Sequence, residues 1–560
     1  MAVDEFDVVV VGSGAAGMTA ALTAAHHGLT AVVVEKAECF GGSTARSGGG
    51  VWVPDNTVLR KAGVRDSPQQ AAAYLEHLLG DQIAEPRRAA LLRHGPDMLD
   101  LVLAKTPLEF AWVPGYADYY PEAPGGVPEG RSIEPRPLDA RVLGAELVHL
   151  NPPYIATPAG ITITQADFRW LNLVTRHPRG VLRAGRVAGR RVLSTVLRRR
   201  VLTMGQALAA GLRAGLLAAD VPVRLGVPLV DLEVDDDRVV GVRVADGLIR
   251  ATRGVILASG GFEHNAAMRE RYQQAPIGTA WTTGAATNTG DGIEAGQRLG
   301  AAVDLMDDAW WGPSIPLSGG PYFCLAERTL PGSIMVNGAG RRFVNEAAPY
   351  VDAVHAMYAG HATGVSHIPA WLVLDQRYRN RYPFAGLGPR QPFPGRWRKV
   401  GAVHTATTLP ELAAAIDVPA DALTATVAEF NGFARTGRDE QFGRGESAYD
   451  KYYGDPRQRP NPSLAELSTA PFHAVRIVPG DLGTKGGLRV DERWRVLRED
   501  GTAVDGLYAA GNASAAVMGH TYAGAGATIG PAMTGGYVAA LDLATGARTE
   551  RVDRASGGMR

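Results

Sequence analysis

The stretch Asp7-Val-Val-Val-Val-Gly12-Ser13-Gly14-Ala15-Ala16-Gly17, followed closely by Ala31-Val-Val-Val-Glu35, decides the fold. Four consecutive valines predict a strand buried on both faces, as in a parallel sheet, and the glycines stand where that strand must turn into a helix. Gly12 permits the turn, Gly14 lets the backbone approach a pyrophosphate, and Gly17 permits close packing of helix on strand. The helix starts at Ala15, stops at Gly28, and offers unpaired N–H groups and a positive dipole end to phosphate. Glu35 is placed to bind ribose hydroxyls, and an acid at this position disfavours a 2′-phosphate. The fold class expected is α/β, Rossmann-like, around a dinucleotide, with Ser13, Ala16 and Lys36 completing the grip.

Directly after the second valine strand comes Phe40-Gly41-Gly42-Ser43-Thr44-Ala45-Arg46-Ser47-Gly48-Gly49-Gly50. Small and hydroxylated residues over this length suit a flavin lying against the backbone. Gly41, Gly42, Ser43, Thr44, Ser47, Gly48, Gly49 and Gly50 therefore join the expected cofactor residues, and FAD is preferred over NAD. No histidine occurs between Cys39 and Gly50, which leaves this loop without a partner for a histidyl link, so the FAD is expected to be noncovalent.

Three later segments read as returns to the same sheet: Arg238–Val244, Gly254-Val-Ile-Leu-Ala-Ser-Gly-Gly-Phe262, and Asp505-Gly-Leu-Tyr-Ala-Ala-Gly511-Asn512. They add Ala258, Gly260, Gly261, Asn265, Gly511 and Asn512 to the expected FAD site, with Asp291 from the turn at 288–292 and Ala527 and Ile529 from the last helix. The FAD-binding domain is thus discontinuous, 1–309 and 484–560, with an α+β catalytic domain inserted over 310–483.

Composition narrows the class. The chain has 560 residues, 46% hydrophobic and 20% charged, with a formal net charge of zero, which gives no global attraction to nucleic acid. Its two cysteines, Cys39 and Cys324, form no CxxC pair or metal cluster and fit a reducing compartment. No secretory leader and no apolar stretch of membrane-spanning length is read, so a cytoplasmic location is expected. One region is uneven: no acid lies between Asp167 and Asp220, whereas Arg169, Arg176, Arg179, Arg183, Arg186, Arg190, Arg191, Arg198, Arg199, Arg200 and Arg213 do. This Arg-rich insertion, about 150–215, reads either as a basic amphipathic surface in peripheral contact with anionic lipid or as a solvated helical face paired with acids elsewhere.

Four further motifs carry a resemblance: Asp118-Tyr119-Tyr120, Arg341-Arg-Phe-Val-Asn-Glu-Ala-Ala-Pro-Tyr350, Asp481-Leu-Gly-Thr-Lys-Gly-Gly-Leu488, and Gly519-His-Thr-Tyr522-Ala-Gly-Ala-Gly526-Ala-Thr-Ile-Gly-Pro. Together they resemble the 3-ketosteroid Δ1-dehydrogenases, FAD enzymes of the wider fumarate reductase and succinate dehydrogenase flavoprotein class, over nearly the whole chain. The resemblance implies a 3-oxosteroid substrate, loss of its C1 and C2 hydrogens, and an electron acceptor that it does not identify. Tyr350 matches the base that takes the C2 proton and Tyr119 the tyrosine that hydrogen-bonds the base. Tyr522 (hydroxyl) and Gly526 (backbone N–H) match the pair that holds the C3 carbonyl oxygen. The C1 hydrogen then leaves as hydride to flavin N5.

These residue types suit that chemistry. A C2–H beside a ketone is acidic enough only if donors stabilise the developing oxyanion, each worth ~3 kcal/mol, and a phenol with pKa near 10 needs help to act as a base. A helix starting near Ala527 is expected to aim its positive end at the flavin. Tyr120 competes with Tyr119 for the helper's place. Trp281, Trp310, Trp311 and Phe323 are available for a flat steroid slot or for ordinary core, and Lys485 for a flavin phosphate or a turn cap. Two departures from the family pattern stand out. Ala525 replaces a frequent proline, which is expected to loosen the loop bearing Gly526, and Gly535 replaces a frequent aromatic. The alternatives kept are a 3-oxosteroid 4,5-dehydrogenase, a soluble fumarate reductase-like enzyme and a noncatalytic flavin-binding subunit.

Overall fold

The computed structural model describes residues 4–154 and 161–557. β1 (Asp4–Val11) and β2 (Ala31–Val34) pair in parallel register, Val8 opposite Ala31 through Val11 opposite Val34, and α1 (Ala15–His26) joins them. Their valines are almost wholly buried. α1 packs against the helices Met204–Ala218 and Ile529–Gly557. The last contact is close enough that a Cβ on Gly536 would stand 2.2 Å from the carbonyl oxygen of Ala16.

Five parallel strands run in the order Ala503–Ala509, Gly247–Leu257, β1, β2, Val223–Arg224. The segment read as starting at Gly254 begins at Gly247, because its first half pairs antiparallel with Arg238–Val244 as a hairpin. That half alternates exposed and buried positions, whereas Gly254 to Leu257 is buried throughout. The Asp231–Asp235 and Arg495–Leu497 strands complete an eight-stranded sheet.

The ends of the parallel strands matter for function. β1 ends at Gly12, β2 at Glu35, Gly247–Leu257 at Ala258-Ser-Gly260 and Ala503–Ala509 at Ala510-Gly511-Asn512. All four carboxyl ends open on one edge, which is where α/β sheets bind ligands.

A second, antiparallel sheet of six strands runs from Ala309–Leu317 through Gly320–Phe323, Ser333–Val336, Ala370–Asp375 and Val403–Ala406 to Phe472–Thr484. The helix Tyr350–His361 lies against its Ala309–Leu317 strand.

Part of the Arg-rich region, residues 155–160, lies outside the described residues. The remainder forms the helices Gln165–Leu171 and Pro178–Val196. Arg183 and Arg190 each lie 3.1 Å from buried Asp167, Arg176 pairs with Asp455 at 2.7 Å and Arg213 with Glu146 at 2.8 Å. Arg169 and Arg179 lie over the Trp170 ring. Arg186, Arg198 and Arg200 are exposed. Among the described residues, no helix is long and apolar enough to cross a membrane.

Candidate active site

The three glycines of the first turn do separate work. Gly12 has φ +106°, and a Cβ there would stand 2.3 Å from the Ala258 carbonyl oxygen. A Cβ on Gly17 would fall 1.9 Å from the Gly12 oxygen, so this glycine closes the turn from behind. Gly14 is the open one: its Cβ would meet nothing nearer than Thr44 Oγ1 at 3.8 Å, and it faces a deep cavity. Thr44 Oγ1 accepts the Ala15 N–H at 3.0 Å, leaving its own proton for a ligand. Glu35 accepts from the Ser13 N–H (3.0 Å), the Ser13 hydroxyl (2.7 Å) and the Ala37 N–H (2.9 Å), which fixes its carboxylate in the wall.

One cavity gathers most of the expected cofactor residues: Gly12, Ser13, Gly14, Ala15, Ala16, Glu35, Lys36, Gly42, Ser43, Thr44, Ser47, Gly48, Gly49, Gly50, Ala258, Gly260, Asp291, Gly511, Asn512 and Ile529 line it. Lys36 bonds Asp291 and Thr289 Oγ1, each at 2.6 Å. Five expected residues stand behind the wall. Gly17 packs on Gly12, and Gly41, with φ +102°, packs against Ala45 and Ala209. Gly261 abuts Thr484, Asn265 caps the helix Ala266–Tyr272, and Ala527 borders a smaller void.

Sequence reasoning missed Asn288, Ser259, Thr283, Val227, Leu229 and Gln165, which line the cavity. Asn288 Nδ2 donates to Ser43 Oγ (3.1 Å) and to Glu263 Oε1 (2.7 Å). The run Asn288-Thr-Gly-Asp was a usable signal for it. Gln165 and Tyr154 enter from the Arg-rich insertion, where no motif announces them.

The same cavity holds the tyrosines. Tyr119 donates its hydroxyl to the Tyr350 oxygen at 3.0 Å, whereas Tyr120 donates to Asp352 at 2.8 Å, so geometry gives the contact with Tyr350 to Tyr119. Tyr522 stacks on Tyr119 with centroids 5.1 Å apart and meets Tyr350 edge-on at 5.4 Å. Thr528 donates to the Tyr522 oxygen at 2.7 Å, which frees the Tyr522 proton for another acceptor. Burial raises the Tyr522 pKa, with the Thr528 and Tyr350 hydroxyls and the Gly526 N–H opposing it, so the Gly526 N–H lies beside the Tyr522 oxygen. Burial raises the pKa of Tyr350 well above the phenol range, with Tyr522 and Tyr116 adding to it and the bond from Tyr119 opposing it.

Each tyrosine is held by its motif. Asp118 accepts from Trp52 Nε1 (2.9 Å) and the Val127 N–H (3.1 Å) and pairs with Arg131, while burial raises its carboxyl to about 6. The segment before Tyr350 is pinned by a buried network in which Glu346 meets Arg342 at 2.8 Å and Arg444 at 3.1 Å. The loop bearing Gly526, with Ala525 in place of a frequent proline, is tied to distant segments by its carbonyls. Ala523 O accepts from the Tyr119 N–H (3.0 Å) and the Tyr74 hydroxyl (2.7 Å), and Ala525 O accepts from Ser132 (2.7 Å). At Gly535 the missing aromatic is supplied from elsewhere, since a Cβ there would lie 2.3 Å from Trp494 Nε1.

Lys485 serves neither role considered for it: fully buried, it pairs with Asp308 at 2.9 Å and donates to Thr521 O at 3.0 Å, away from the cavity. Of the candidate slot residues, Phe323 lines the cavity, meeting Tyr350 edge-on at 5.1 Å. Trp310 backs Tyr522 at 4.9 Å, and Trp311 is core, bonded to Asp308.

A cradle of open glycine, free hydroxyl donors and a fixed acid at the strand ends fits FAD, with Gly14, Ser43, Thr44 and Glu35 as holders. The FAD binding domain family model matches residues 7–529. A 3-oxosteroid 1-dehydrogenase of Mycobacterium tuberculosis is 58% identical over 97% of this chain and 99% of its own length. The crystal structure of the 3-ketosteroid Δ1-dehydrogenase of Sterolibacterium denitrificans, in complex with 1,4-androstadiene-3,17-dione, superposes with a TM-score of 0.92 at 40% identity, covering 97% and 100% of the two chains. A 3-ketosteroid Δ4-(5α)-dehydrogenase of Rhodococcus jostii matches at TM-score 0.67 and 22% identity over 97% of each chain, a likeness of fold alone. FAD is the cofactor, and the chain belongs to the 3-oxosteroid 1-dehydrogenase family of FAD-binding flavoproteins.

Proposed function

We propose that this enzyme desaturates the 1,2 bond of 3-oxosteroids, with Tyr350 as the base at C2. The observation that carries the residue roles is the 3.0 Å hydroxyl contact from Tyr119 to Tyr350 in the wall of the cavity that holds the dinucleotide turn. Tyr522 and the Gly526 N–H bind the C3 oxygen and stabilise the charge that develops there as the C2 proton leaves. Tyr350 takes that proton; Tyr119, donating to the same oxygen, favours the phenolate form. Bound noncovalently, FAD supplies the two-electron acceptor for the hydrogen leaving C1. An external electron acceptor must restore oxidised FAD after each turnover. Buried aromatic rings around Tyr350 keep water from the nascent carbanion. Anaerobic titration with androst-4-ene-3,17-dione and with a 5α-reduced analogue, followed by NMR of the products, tests the reading. A new alkene at C1–C2 is expected from both, and an alkene at C4–C5 from the reduced analogue would overturn it in favour of the 4,5-dehydrogenase.

A lipid contact belongs to the same proposal. Val181, Leu182, Val192, Leu193, Val196 and Leu197 are six of the twelve large hydrophobic side chains exposed among the described residues, and all lie on or beside the helix Pro178–Val196. At 100° per residue, Leu182, Gly185, Gly189, Leu193 and Val196 share one face, opposite buried Gly180 and Val187. Exposed Arg186 flanks that face. An outward apolar stripe with a basic margin suits an anionic membrane surface, where an apolar substrate accumulates.

A further inference from the structure

Arg87 is out of keeping with its surroundings. It lies in the first turn of the helix Glu85–Lys105, where the helix dipole disfavours a cation. It is 7% exposed, and among the described residues no carboxylate stands in ion-pair contact with it, although the more distant Asp304 and Asp491 favour its charge. Its neighbour Arg88 has Glu76, whereas Glu85 in the same turn points to solvent. One guanidinium nitrogen donates to Ala515 O at 2.9 Å, and Nε has no partner. Burial pulls its pKa down to about 10, which leaves it charged at neutral pH. An ion without an ion-pair partner, taken from water at the wrong end of a helix, is costly, and Asp304 and Asp491 offset that cost only through longer-range attraction.

What Arg87 faces is a void of about 20 Å³, enough for a single water. Gly511, Asn512, Thr528 and Ala532 line both this void and the cofactor cavity, so one layer of residues separates the two. The helix Ile529–Gly557 begins at the same place and turns its positive end toward it. Two positive sources thus converge behind one end of the cofactor cavity. Transfer of a hydride to FAD adds one negative charge to it, while the accompanying C2 proton goes to Tyr350, so the reduced form gains from a positive field that the oxidised form uses less.

We propose that Arg87 is a positioning residue that acts through this field, favouring reduced over oxidised FAD. The inference rests on FAD as the bound cofactor. The experiment is an anaerobic dye-coupled potentiometric titration of the flavin in the parent holoenzyme, Arg87→Met and Arg87→Lys, with FAD content measured for each. Arg87→Met is expected to lower the equilibrium constant for reduction tenfold or more, ~30 mV for a two-electron couple, with Arg87→Lys within threefold of the parent. An unmoved potential with weakened FAD retention would overturn the proposal, because Arg87 would then only balance the pyrophosphate. Equal shifts in both variants would also overturn it, as a packing effect. Should Arg87→Met not accumulate folded, Ser514→Asp sets a carboxylate on the wall of the same void. It must lower the potential where Ser514→Asn does not, and a failure to do so overturns the proposal. A parent protein purified without a flavin spectrum would remove the cofactor reading and this proposal together, whereas a flavin-bearing parent isolates the Arg87 result.

Discussion

Replacing Tyr119 by phenylalanine removes one oxygen and one hydrogen bond, and the structure sets the expected size of the loss. The Tyr119 hydroxyl donates to Tyr350 at 3.0 Å with both groups buried. In the resting enzyme this is a bond between neutral groups, worth ~1 kcal/mol. As Tyr350 gains negative character on taking the C2 proton, the same bond becomes one to a charged group, worth ~1.5–3 kcal/mol. The loss is larger for the charged than the neutral state, so kcat should fall with KM little changed. At ~1.4 kcal/mol per decade the difference of ~0.5–2 kcal/mol between the two states corresponds to a roughly 2- to 30-fold loss. The rate should also rise with pH from neutral to alkaline without levelling by pH ~10, because burial already holds Tyr350 above the ordinary phenol range and the bond from Tyr119 is what opposes this. Losing that bond moves the rise further toward alkali. Tyr120→Phe is the control, since its hydroxyl goes to Asp352. Steady-state assays of both variants from pH 6 to 10 decide the matter. A Tyr119→Phe enzyme within twofold of the parent, or a Tyr120→Phe enzyme that loses more, would refute the relay of support from Tyr119 to Tyr350.

Tyr350→Phe should keep its FAD spectrum while turnover drops roughly 10²- to 10⁴-fold, read by stopped-flow bleaching of the flavin; near-parental rates would show that another group is the base. Glu263, fully buried with one oxygen unpartnered, has its pKa raised from 4.5 to about 7 by burial, with Asp481 adding and the Asn288 bond and Arg269 opposing. A raised acid contributes stability that is complete below the unfolded value and is lost as pH climbs through the folded one. Of the parental stability, about 3 kcal/mol should therefore disappear between pH ~4.5 and ~7, and Glu263→Gln should remove that part of the slope in urea unfolding, leaving the contributions of the other raised carboxyls, among them Asp118, Glu134, Glu327, Asp352 and Asp450. Charges placed on the outward face of the Pro178–Val196 helix, as in Leu193→Glu with Val196→Glu, should abolish salt-sensitive co-sedimentation with anionic liposomes and leave turnover of a soluble steroid unchanged. Parental protein that stays in the supernatant at low salt would end the lipid reading.

The cofactor grip was legible because it is local. A glycine at positive φ, an open glycine and a closing glycine occur within six residues, and each role follows from the absence of a Cβ at a fixed place in one turn. The same locality explains the errors. Gly41 and Gly261 read as cofactor contacts because glycine is equally the mark of close packing between elements, and the chain does not say which surface approaches. Asn265 is an acceptable ligand type that became a helix cap. The restraints on the loop with Ala525, from Ser132, Tyr74 and Tyr119, were not legible either, because they come from segments hundreds of residues away.

By itself the sequence determined the parallel sheet, the dinucleotide turn and, through the resemblance of four motifs, which tyrosines to examine. These depend on residue type and short-range spacing, which the chain carries directly. Tertiary structure alone decided that Tyr119 rather than Tyr120 meets Tyr350, that Lys485 is spent on Asp308, and that Arg87 lines a small void behind the cofactor cavity with no acid in ion-pair contact. Adjacent tyrosines differ only in the direction their side chains leave the backbone, and a buried charge is defined by what does not surround it. Both are properties of packing between distant segments, and no window of sequence contains them.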